Sequence, residues 1–280
     1  MPAWRKITRA KLLSALSVAL LSLGSCSPLP GAQEEEPFSG RILAAVRSMP
    51  TGGGYAADRT AEQRLAQRGI TRRGKELLVS PQGAAPTFCS AACYMVLLQA
   101  LQSRQADGHP LPPAAWASLR VEAEHPDGYL NWGRANANGP GFAKWIHDLG
   151  AGISFCEVSQ ARPGDFLKYF HTPTIGGRER GHLVIFLGCE QRGSETYLHI
   201  WSANRPQGYG TRSIPLSSIH HPIFTRITRP DRFAAAAELP LHDAWLASML
   251  HTSAPFSEVL SRCGIHTAKQ TPRKNEHPHR

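Results

Sequence analysis

Several protein classes are excluded by what this 280-residue chain lacks. Its apolar run Leu12 to Leu23 has 12 residues, short of the roughly 20 that a membrane-spanning helix needs. No basic stripe interleaved with aromatics is present, although the formal net charge is +10, so a nucleic-acid surface is not expected. The cysteines form no CxxC pair and no zinc-type spacing, and nothing in the sequence requires a metal or an organic cofactor. The glycine run Thr51 to Tyr55 has neither the strand before it nor the lysine after it that phosphate binding demands, so it reads as a turn. There is no internal repeat. What remains, 41% hydrophobic and 19% charged residues, suits a globular protein with a sizeable core.

The first residues have the three-part form of an export signal: a basic start (Arg5, Lys6, Arg9, Lys11), the apolar run, and small residues at its end. The sequence Leu23-Gly24-Ser25-Cys26 resembles the lipobox of bacterial lipoproteins. That resemblance implies cleavage before Cys26, a diacylglyceryl thioether on its sulfur, and membrane anchoring in the bacterial cell envelope. On this reading residues 1–25 are the signal, 26–37 a tether, 38–85 a helical preamble, 86–265 the main domain and 266–280 a disordered basic tail. Loss of the signal would lower the formal charge from +10 to +6.

Setting Cys26 aside leaves Cys89, Cys93, Cys156, Cys189 and Cys263. An odd count in an oxidising compartment implies at least one thiol kept free for a reason. Thr87 is the expected N-cap of a helix running from about Phe88 or Cys89 to Ser103, with apolar residues in almost every direction and hence buried nearly all round. Cys89 at its start would feel the positive end of the helix dipole, which favours thiolate. Cys93, one turn deeper, would be an inert core thiol.

Before this helix, Ile42 to Met49 and Thr60 to Gln67 read as short helices; after it, Gln105 to Gly141 is loop-rich with five prolines. Asn131 to Gly133 and Asn136 to Gly141 are surface-loop segments that could also line a groove. Phe142 to Leu149 is a helix closed by Gly150. Then come short apolar runs, Ile153 to Val158, Phe166 to Phe170, His182 to Leu187, Tyr197 to Ala203 and Thr211 to Ile214, which read as antiparallel strands. Phe233 to Glu238 and Ala244 to Leu250 are further helix candidates. Helices followed by strands imply an α+β domain.

His182 stands where a strand begins and is the expected base for Cys89. The order of a Cys on a buried helix, Pro163-Gly164-Asp165 opening a strand, and Gly181-His182 opening the next is similar to the NlpC and CHAP families. The similarity covers roughly residues 86 to 220. The Asp and Gly of those families' Asp-Cys-Ser-Gly start are replaced by Phe88 and Ala91. The resemblance implies a papain-like cysteine hydrolase fold that cuts peptide or amide bonds, very often in peptidoglycan. Asp165 reads as turn chemistry rather than a catalytic acid. A third residue orienting His182 is expected on Tyr197 to Asn204: Asn204 first, because its carbonyl oxygen can accept from an imidazole N–H, Ser202 second, and His199, on the opposite face by alternation, third.

The expected function is therefore an exported Cys-His-polar hydrolase acting through an acyl-enzyme, with backbone amides around Cys89 to Ala91 stabilising the oxyanion. An inactive fold of the same type, serving as a binding or scaffold lipoprotein, is the alternative; acyl transfer would share the same intermediate.

Overall fold

A computed structural model describes residues 37–74, 76–124 and 127–266. The expected signal, Cys26, the tether before residue 37 and the tail beyond residue 266 lie outside the described residues. The architecture is α+β with a seven-stranded, all-antiparallel sheet as its centre.

The helices are α1 (Phe38–Ser48), α2 (Arg59–Arg64), α3 (Pro81–Ala84), α4 (Cys89–Ala106), α5 (Pro113–Ser118), α6 (Leu130–Asn136), α7 (Gly141–Leu149), α8 (Ala244–Ser248) and α9 (Phe256–Arg262). The strands are β1 (Gly52–Gly53), β2 (Ile70–Arg73), β3 (Glu76–Val79), β4 (Gly152–Phe155), β5 (Phe166–Phe170), β6 (His182–Arg192), β7 (Glu195–Asn204), β8 (Gly208–Pro215) and β9 (His220–Ile227). The main sheet runs β1-β8-β7-β6-β5-β9-β4, and β2 and β3 form a separate hairpin.

α4 carries its apolar residues around the whole axis, and it is enclosed accordingly: α1, α6 and β3 pack against it together with β6 and β7 of the sheet. Ala91 to Leu98 are all buried. β5 is buried at every position, as a strand covered on both faces must be. α7 presents Phe142, Trp145, Ile146 and Leu149 at helical spacing to the core and ends on Gly150 in the left-handed conformation.

The structure departs from the sequence reading in four places. Thr87 does not cap α4: Phe88 occupies the N-cap position without a side-chain cap bond. Thr87 is drawn into a parallel bridge with Tyr55, and its hydroxyl is buried without a partner. The stretch 105–141 contains α5 and α6 despite its prolines, because Pro112 and Pro113 stand at the N-cap and first turn of α5, where a missing N–H costs little. β9, unforeseen because Pro222 and two histidines interrupt its apolar pattern, fits between β5 and β4. Residues 38–85, expected as a preamble, supply α1 against α4 and β1 to the sheet edge.

Asp165 has a larger part than a turn residue. Fully buried, it receives Arg226 of β9 through Nε (2.8 Å) and a terminal nitrogen (2.6 Å), and the Arg162 amide at 2.8 Å. Its own carbonyl accepts the Phe186 amide of β6. The Pro-Gly-Asp turn thus ties β5 to both neighbours. Gly164 is required there: φ is +94°, and a Cβ would lie 2.8 Å from the Ser39 carbonyl oxygen of α1.

Candidate active site

Cys89 is the first residue of α4 and is half-buried, lining a pocket of about 140 Å³. Because no side chain caps α4, the amides of its first turn keep no side-chain partner and point along the helix axis toward that pocket's end of the helix. Ser90, next in line, spends its hydroxyl on the Asn136 side chain at 2.6 Å rather than on the backbone.

His182 opens β6, placed by the pairing of Tyr169 with His182 across β5 and β6. Gly181 before it has φ of +59°, and a Cβ there would sit 2.5 Å from the Tyr169 carbonyl oxygen, so the entry to the strand is set by glycine. The imidazole stands close enough to Cys89 that its charge and its hydrogen-bonding capacity favour the thiolate. Its Nε2 lies 3.3 Å from Oδ1 of Asn204 at the end of β7.

The orientation of Asn204 decides the tautomer. Both hydrogens of Nδ2 are used, on the Ser202 carbonyl (3.1 Å) and the Gly210 carbonyl (2.9 Å). Oδ1 must therefore face the ring and accept from Nε2–H. That leaves the Nδ1 lone pair as the basic position for the thiol proton.

Burial works against ionisation of Cys89, but the charge of His182, its hydrogen bond, the charge of Lys168 and the Leu183 amide outweigh it and bring the thiol down to about 6. Cys93, one turn along, is pushed the other way by burial and by the neighbouring Cys89 charge; its Sγ contacts the Leu183 carbonyl at 3.4 Å. All five described cysteines are free thiols.

Cys89, His182 and Asn204 are brought together as the sequence order suggests. Ser202 is not turned to His182: it is fully buried and donates to the Leu183 carbonyl at 2.8 Å, which helps hold β7 against β6. His199 is on the far side of the sheet, bonded to Ser213 and Glu190. Of the groove segments, Asn136 to Gly139 line the pocket, whereas Asn131 is buried in α6 and holds the Trp145 indole N–H at 2.8 Å.

Four groups in the pocket were not singled out from the sequence. Tyr55, delivered by its bridge to Thr87, lines the pocket beside Cys89 and carries the Arg205 guanidinium 4.9 Å from its ring centre. Burial and the Cys89 charge raise its phenol to about 12, so it remains a donor at neutral pH. Glu62 and Asp127 are both raised, chiefly by burial; Glu62 accepts from the Asn136 amide and Asp127 from the Asn138 backbone N–H. Lys168 of β5 is the fourth. The glycine run before Tyr55 was the only local signal for any of them.

No cluster of three or more metal-ligating side chains occurs among the described residues, nor any helix long and apolar enough to cross a membrane. Family models, curated proteins and solved structures contain no match to this chain.

Proposed function

We propose that the protein is a papain-like cysteine hydrolase that cleaves peptide or amide bonds, exported and anchored by a lipid at Cys26, with peptidoglycan stem peptides as its substrate class. The observation that carries this reading is the succession Cys89, His182, Asn204, with Cys89 at an uncapped helix start on the wall of the pocket and its thiol lowered to about 6.

His182 Nδ1 takes the Cys89 proton, and the thiolate attacks the carbonyl carbon of the scissile amide. Charge that develops on the carbonyl oxygen is met by first-turn amides of α4 and by the Tyr55 hydroxyl, donors already in place before the reaction. The imidazolium, held by Asn204, then gives its proton to the leaving nitrogen as the C–N bond breaks. Water, deprotonated by His182, attacks the thioester, releasing the carboxylic acid and restoring the thiol.

The test is incubation of the mature protein, and of its Cys89→Ala variant, with purified peptidoglycan, followed by mass spectrometry of the soluble fraction. Fragments released only by the unmodified protein are expected, and they identify the bond cut. Equal traces from both proteins would leave the binding or scaffold reading in place of the enzyme.

A further inference from the structure

Lys168 is a buried cation that none of the described carboxylates pairs directly. Its side chain comes from the middle of β5, opposite Leu183 of β6, and the residue is only 9% exposed. Nζ donates to the Arg180 carbonyl at 2.7 Å and lies 5.5 Å from the centre of the Phe170 ring. An ammonium has three N–H donors, so one carbonyl and one ring face leave donor capacity for a group that enters the pocket. Asp127 and Glu179 favour its charged form through space, and so does a Cys89 thiolate. Among the described residues, however, no carboxylate forms an ion pair with it: Asp127 is engaged by the Asn138 amide and Glu179 by Gly181 and Thr172. Burial accordingly pulls its pKa down. A buried charge is ordinarily paired or lost, and here Lys168 lines the pocket that also holds Cys89, with Arg180 as a second cationic side chain and Glu62 and Asp127, both raised by burial and engaged by Asn136 and Asn138, as the carboxylates of the lining.

We propose that Lys168 is a specificity-determining residue, whose ammonium receives a carboxylate carried by the substrate close to the scissile carbonyl. The proposal rests on the assignment of Cys89 as the nucleophile. A substrate with a free carboxylate near the cleaved bond would complete the shell of Lys168 on binding. A neutral analogue would leave the ammonium dehydrated and unpaired, a penalty that discriminates strongly in a buried site.

Two isosteric alkylating agents, iodoacetate and iodoacetamide, probe this directly on the full mature protein, with modification of Cys89 read by peptide mass spectrometry. The ratio of their rates is independent of the thiolate fraction, because both react with the same thiolate. In Lys168→Met that ratio is expected to fall about tenfold toward the amide reagent, and in Lys168→Arg to stay within about threefold of the unmodified protein. A ratio unchanged in Lys168→Met, with Cys89 still reacting rapidly below pH 8, would overturn the role of Lys168 and leave the nucleophile intact. Cys89 slow toward both reagents would overturn the nucleophile and the Lys168 proposal with it. Should Lys168→Met not fold, the unmodified protein decides at constant ionic strength. Saturable protection of Cys89 from iodoacetamide by acetate, and none by acetamide, is expected; equal effects of the two would contradict the proposal.

Discussion

Two histidine-centred hydrogen-bond chains lie on the same sheet, and they differ in almost everything except their bonding pattern. On one side of β6 and β7, Cys89, His182 and Asn204 follow one another, with Cys89 and the flanking Gly181 and Leu183 on the wall of a pocket. On the other, Ser213, His199 and Glu190 line up across β8, β7 and β6, with Ser213 Oγ 2.8 Å from Nδ1 and Glu190 Oε2 3.0 Å from Nε2. The outer chain's imidazole bonds are shorter than the 3.3 Å between His182 and Asn204, and its orienting group is a carboxylate rather than an amide. It nevertheless lies on an exposed face: His199 is 33% and Glu190 43% accessible at the side chain, and Arg192 competes for the carboxylate. Among the described residues no α-helix begins there, only the single 3-10 turn Leu216–Ser218 after β8. A nucleophile, a base and an orienting group are not sufficient; the inner chain adds a helix N-terminus, a protonated Tyr55 and a concave wall.

The comparison can be broken most sharply by Cys89→Ala, which should reduce hydrolysis by at least about a thousandfold while leaving the thermal transition nearly unchanged. Activity retained in that variant would move the chemistry elsewhere, and Ser213 would be the first place to look. His182→Gln should lower turnover by about 10² to 10⁴. It should also move the midpoint of Cys89 alkylation up from about 6 toward the ordinary thiol range, because the charge and hydrogen bond of His182 head the influences that lower it. Asn204→Ala removes the group that fixes the tautomer without removing the base, so a loss of about 10- to 100-fold in kcat is expected, with KM little changed. On the outer chain, Ser213→Ala and Glu190→Gln should alter activity by less than about twofold and leave the thermal transition nearly unchanged, as exposed pairs do.

The same contrast explains what could be seen in the sequence. α4, β5 and β6 were legible because each announces itself locally: an all-round apolar helix, a run without a polar face except Lys168, and a Gly-His entry into an apolar strand. Asn204 was legible once β7 was placed, since only the last residue of that strand comes level with His182. Tyr55 was not, because it reaches Cys89 through a bridge to Thr87 over an interval of sequence with no pairing pattern of its own. That bridge also cost Thr87 its expected capping role. Asp127 and Glu62 arrive from a loop and a short helix whose positions depend on tertiary packing, and β9 was hidden by Pro222 at a place where β5 and β9 shift register. Asp165 carried a correct turn signal, but its pairing with Arg226, 61 residues later, has no local trace.

The most direct test of the account is the pH dependence of iodoacetamide alkylation, followed separately at Cys89 and Cys93 in the native mature protein. A thiolate fraction grows as pH rises through the thiol pKa, so Cys89 should show a rate that climbs through about pH 6 and levels off by neutrality, while Cys93 stays unlabelled until the protein unfolds. Cys89 labelling that rises only near the ordinary thiol value of about 8.5, or no faster than Cys93, would contradict an activated nucleophile at the start of α4.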